Sequence, residues 1–140
     1  MDKERYFSVE DANKTLPLVS RIMEDIMNAH EEWRKSVSRY ELLAGGRSAE
    51  DGETEEMVAI GRRVDDLARE IEGYIKELSD IGCMFKGFEN GLVDFLHKKG
   101  GRDVLLCWQY GESAVSHWHE MDAGFSGRRP LAGVGEGSDD

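Results

Sequence analysis

From Met57 to Ile81 the apolar side chains fall three and four residues apart without a miss: Met57, Ile60, Val64, Leu67, Ile71, Tyr74, Leu78 and Ile81. That rhythm belongs to a helix whose apolar seam lies along a second helix. The second helix is upstream, where Val19, Ile22, Ile26, Ala29, Trp33, Ser36, Tyr40 and Leu43 repeat the spacing. Gly45-Gly46 stops the first pattern and Gly82 the second, because glycine tolerates the left-handed backbone past a helix end. Each pattern spans about 27 residues, or ~40 Å at ~1.5 Å per residue. The connector is short, so the sequence predicts an antiparallel hairpin packed seam to seam at a shallow angle.

The N-terminal approach carries its own signals. Ser8 is a helix cap with Asp11 three residues on, and Phe7 and Ala12 flank it as a weak hydrophobic staple. Proline suits a first helical turn and not an interior. Pro17 therefore predicts a short helix from about Val9 to Lys14, a break, and a long helix from about Pro17 to Ala44. Beside the seam runs a further stripe: Met23, His30, Val37 and Ala44 on one helix, Gly61, Ala68 and Ile75 on the other. A bare hairpin leaves that stripe wet, so the rest of the chain, a second copy, or both must cover it. Gly61 in a helix interior costs about 1 kcal/mol against alanine, and the reading given to it is close approach of another backbone.

After Gly82 the period changes. Asn90-Gly91 separates two apolar runs, a hairpin signal. The segment from His97 to Arg102 is the next turn. Val104 to Trp108 is apolar on both faces, as a covered central strand is. Gly111-Glu112-Ser113 turns again into Val115 to Glu120. The expectation is an α+β chain: a long antiparallel, coiled-coil-like helical hairpin over about 8–81 and a small antiparallel β meander as a lid over about 82–131. Together they form one domain, with a flexible acidic tail over 132–140.

Charge narrows the partners. The 140 residues carry a net charge of −11, with −7 of it in residues 48–81. No segment is net basic, and an acidic surface repels phosphate backbones, so nucleic acid is disfavoured. No apolar run nears the ~18 residues of a membrane span, and the first residues do not read as a signal peptide. Two cysteines make no disulfide framework. The expectation is a soluble, cytoplasmic homodimer with an unidentified protein partner.

Several motifs together resemble the prokaryotic domain-of-unknown-function family 2203. They are Phe7-Ser8-x-x-Asp11-Ala12-Asn13-x-x-Leu16-Pro17, then Gly91-Leu92-Val93-Asp94-Phe95, then Leu106-Cys107-Trp108-x-x-Gly111-Glu112. The last is Trp118-His119-Glu120-x-Asp122-x-Gly124-Phe125-x-Gly127-Arg128-x-Pro130. The match runs from about Phe7 to Leu131. It departs at Leu96, where the family has proline after Val-Asp-Phe. The resemblance implies no activity; it implies that the distinctive residues sit in the strand region.

The candidate chemistry lies there too. His117 and His119 are two apart and share one side of a strand. With Glu112, Glu120, Asp122 or Asp94 as a carboxylate, they are a candidate divalent-metal set, first of all His117, His119 and Glu112. The bland reading of His119 is a hydrogen bond to a carboxylate. Asp94, inside an apolar strand, needs a partner if buried. Arg128 is the first candidate, then Arg102 or Lys86, and Arg128 is otherwise an anion clamp. Asp94, Glu112, Trp118, His119 and Arg128 make up the ligand-binding candidate, Trp118 also reading as a core anchor. Cys83 and Cys107 read as small, buried and reduced, the alternative being Cys107 as a nucleophile served by His119. Against an enzyme or ligand-binding protein stands a non-catalytic interaction or scaffold module, the reading favoured by the long uncovered helical surface.

Overall fold

The computed structural model describes residues 5–131. Two antiparallel helices, α1 (Val9–Ala44) and α2 (Glu55–Ile81), precede β1 (Met84–Phe85), β2 (Leu92–Lys99), β3 (Arg102–Gln109), β4 (His117–Glu120) and β5 (Arg129–Pro130). All strand pairs are antiparallel and sheet order follows chain order, so the expected α+β hairpin with a β meander is the observed fold.

Helix α1 starts as its sequence directs: the Ser8 hydroxyl accepts the Asp11 N–H at 3.0 Å. It does not break at proline. Pro17 lies inside one continuous helix of 36 residues, which corrects the expected short helix and break. An interior proline removes one backbone hydrogen bond and costs about 3 kcal/mol. Here it is exposed, while Ala12, Leu16 and Val19 on the opposite side are buried in the core. Burial of those side chains on both sides of the proline offsets the local loss, at about 1.5–3 kcal/mol for each large one.

The seam behaves as read. Val19, Ile22, Ile26, Leu67, Ile71 and Leu78 are buried between the helices and under the sheet. Thr54 caps α2 by accepting the Met57 N–H at 3.1 Å. At its other end Gly82 takes φ +111°, where a Cβ would lie 2.9 Å from Arg5 Cδ. Arg63 to Glu32 and Arg39 to Glu56, each at 2.6 Å, tie the helices together along the exposed edges. Such pairs contribute about 0.2–1 kcal/mol each.

The sheet covers only the base of the hairpin. Val93, Phe95, Val104, Leu106, Trp108 and Trp118 face the helices and share one core with Phe7, Met23, Ile26 and Leu78. Phe88 stacks on His30 at 3.9 Å and closes a second cluster of Ala29, Leu67 and Ile71. Beyond Trp33 the stripe stays partly open at Val37, Ala44 and Gly61. A Cβ at Gly61 would meet only the Tyr40 ring, at 3.8 Å. The expected close backbone approach at Gly61 is therefore absent among the described residues. The expected acidic tail over 132–140 lies outside them.

Candidate functional site

The Gly100-Gly101 turn sets the register. Both glycines have positive φ, +61° and +82°, as a two-residue hairpin turn requires. The turn pairs Lys99 with Arg102 and, further along, Asp94 with Cys107; on the next strand Cys107 pairs with His117 and Leu105 with His119. Partners across a sheet share a face. Asp94, Cys107, His117 and His119 therefore lie together on the face turned away from the helices.

Asp94 and His119 meet there. His119 Nε2 stands 3.1 Å from Asp94 Oδ2, and the two side chains are only 4% and 3% exposed. His119 Nδ1 lies 2.8 Å from the Glu120 carbonyl oxygen. A carbonyl only accepts, so Nδ1 carries a hydrogen and Nε2 is the nitrogen turned to the carboxylate. One proton then lies between Nε2 and Oδ2. Asp94 Oδ1 is buried and has no hydrogen-bond partner. Burial pushes the Asp94 carboxyl above its usual range, against the opposing pull of His119, Cys107 and Lys86. Burial, with the Asp94 charge added, pushes the Cys107 thiol up to about 12 in spite of Arg128. A thiol so shifted stays protonated at neutral pH, and a nucleophilic cysteine needs the opposite shift.

Arg128 does not pair with Asp94, which corrects that expectation. It follows the 3₁₀ turn Phe125–Gly127, and its Nη2 donates to Glu112 Oε1 at 2.7 Å and to the Cys107 carbonyl at 3.2 Å. Its Nε is buried and unpartnered. Glu112 is held by its own turn, accepting the Gln109 N–H at 2.8 Å, while the Trp108 indole donates to the Glu112 carbonyl at 3.0 Å. Burial pushes the Glu112 carboxyl up, but Arg128 and the Gln109 N–H outweigh it and hold it below its usual range. His117 Nδ1 is 3.8 Å from Glu112 Oε2.

The candidates thus divide. His119 joins Asp94; His117 joins Glu112 and Arg128. The metal set His117, His119 and Glu112 is not one grouping of donors. Among the described residues the grouping with metal-ligand reach is Asp94, Cys107 and His119, whose donor atoms lie within 4.8 Å of one another. Trp118 turns to the helix side and joins the core, with Lys99 and Arg129 over its ring. The sequence reading took Cys107 as small, buried and reduced, with a nucleophile as the alternative, and did not name it as a metal donor; it is a free, buried cysteine. The signal for its place was present: counting back equally from Gly100-Gly101 puts it opposite Asp94.

Residues 5–131 match the family described as uncharacterized conserved protein DUF2203. The chain belongs to that family. No curated protein and no solved structure matches it. Among the described residues of this family member, no helix is long and apolar enough to cross a membrane.

A second feature lies at the far end of the hairpin. Val37, Tyr40, Val58, Gly61 and Val64 line an open groove of about 630 Å³, edged by Glu41, Glu53, Asp65 and Arg62.

Proposed function

We propose that this protein is a non-catalytic interaction module that works as a homodimer, docked through the outer half of the helical hairpin. The observation that carries this reading is the groove between Val37 and Val64, an apolar strip that nothing else among the described residues covers. Its edges hold both signs of charge, Arg62 beside Glu41 and Asp65. A copy related by a two-fold axis brings the arginine of each against an acidic edge of the other, as a self-complementary interface requires. The Cys107 thiol, protonated and fully buried, supports a non-catalytic role.

Light scattering at micromolar concentration tests this. The expected mass is twice the 15.8 kDa of one chain. Val37→Glu together with Val58→Glu, the latter at an exposed groove position, returns it to a single chain while the far-ultraviolet helix signal is kept. Ile75 is unsuitable for this purpose because it packs against the protein's own core. A wild-type chain of single mass at every concentration refutes the dimer.

A further inference from the structure

We propose that Asp94, Cys107 and His119 bind one transition-metal dication of the zinc class on the face of the sheet turned away from the helices. Three independent features support this. One carboxylate oxygen, one thiol sulfur and one imidazole nitrogen come from three adjacent strands and lie within 4.8 Å of one another. His119 is held in the manner of a metal ligand, with Nδ1 anchored on the Glu120 carbonyl at 2.8 Å and Nε2 turned inward. A backbone carbonyl holding the second nitrogen is the usual way such a ring is fixed. Finally, Asp94 Oδ1 is buried without a partner, and an unsatisfied buried carboxylate oxygen destabilises the fold unless something occupies it.

Binding balances in charge and in protons. Without metal, the face is kept neutral by protons, one between Asp94 and His119 and one on Cys107. A dication displaces both. The carboxylate and thiolate then contribute two negative charges against two positive ones, and the buried centre is again neutral. The reaction consumes the metal ion and releases two protons to solvent, with no change of oxidation state. Sulfur and nitrogen donors select zinc, cobalt or iron(II) over magnesium or calcium, which prefer oxygen. Three protein donors leave one tetrahedral position for water or a small ligand. Arg128 beside the thiol does not oppose the ion with a free charge, because Glu112 neutralises it at 2.7 Å.

The experiment uses the full chain without a histidine tag, stripped with chelator and titrated with Co²⁺ and Zn²⁺. The expected result is one ion per chain, about two protons released per ion in weak buffer, and a thiolate-to-cobalt charge-transfer absorption. Cys107→Ser abolishes that absorption. Asp94→Ala and His119→Ala weaken retention at least about tenfold, the scale on which metal sites respond to disturbance. His117→Ala leaves stoichiometry and spectrum unchanged. Failure of the wild-type chain to retain an ion overturns the proposal, as does cobalt bound without sulfur absorption. So does loss of the ion on His117→Ala. Where Cys107→Ser does not fold, the wild-type spectrum and proton count decide.

Discussion

On its helix side the central sheet presents Val93, Phe95, Val104, Leu106, Trp108 and Trp118 to an apolar core, together with buried His97, whose Nδ1 lies 2.8 Å from the Phe7 carbonyl oxygen. On its other side, next to the Leu96–Leu105 pair, stand Asp94, Cys107 and His119, equally buried. One face gains its stability from removal of hydrocarbon from water. The other buries a carboxylate with one oxygen unpartnered, which costs stability. Polar groups retained where apolar ones would pack as well are a reason to look for a ligand.

The largest effect expected from this contrast is on the helix side. Phe95 meets the Phe7 ring edge-on at 5.1 Å, and Phe95→Ala lowers stability by about 3–5 kcal/mol. Urea unfolding measures it; a loss below about 1 kcal/mol places the core elsewhere. Next comes the polar face, in metal-free protein. His119→Ala strands Asp94 and costs about 1–3 kcal/mol. The double replacement Asp94→Leu with His119→Leu restores most of that loss, since apolar groups need no partner. If the double variant is less stable than the single one, the pair is there for stability and the contrast between the faces fails.

The two carboxylates of the polar face sharpen it further. Asp94 has a folded pKa above the ordinary 3.8, so its contribution to stability is present below that value and is lost as pH rises through the raised one. Glu112 is held below 4.5, so its contribution is present above 4.5 and is lost as pH falls through the lowered value. Thermal melts in chelator from pH 3 upward, on the order of a unit apart, should therefore diverge in sign. Relative to wild type, Asp94→Asn gains stability as pH rises and Glu112→Gln loses it. Parallel curves contradict the assignment. The smallest effect belongs to the groove, where Val37→Glu changes the stability of a single chain by under about 0.5 kcal/mol. A larger loss in the separated chain means the groove is part of the fold.

The helical seam was legible because a 3-4 spacing of apolar residues has one economical solution, a long partner of matching spacing. Pro17 was misread because the local cost of proline is visible in sequence, whereas the offsetting burial of Leu16 and Val19 against the sheet is not. The expected turn from His97 to Arg102 is too long: β2 runs on to Lys99 and β3 starts at Arg102, because Gly100 and Gly101 alone make the turn, and only counting back from that two-residue turn gives the pairing of Asp94 with Cys107. The pairing of Cys107 with His117, and the place of His119, were not readable from the sequence. Residues 110–116 join β3 to β4 through a long connection, and a connection of that length does not fix register. Arg128 was placed beside the wrong carboxylate for a similar reason: its position depends on how the chain after Glu120 folds back.

The sequence by itself determined the two rods, the Ser8 cap and the order of strand and turn after Gly82, because these depend on periodicity and turn stereochemistry over short stretches of chain. Only the tertiary structure decided that the rod survives Pro17, that Arg128 goes to Glu112, and that three strands bring oxygen, sulfur and nitrogen to one buried point. Those outcomes balance local losses against burial between residues as far apart as Asp94 and His119, and that balance exists only once the chain has packed.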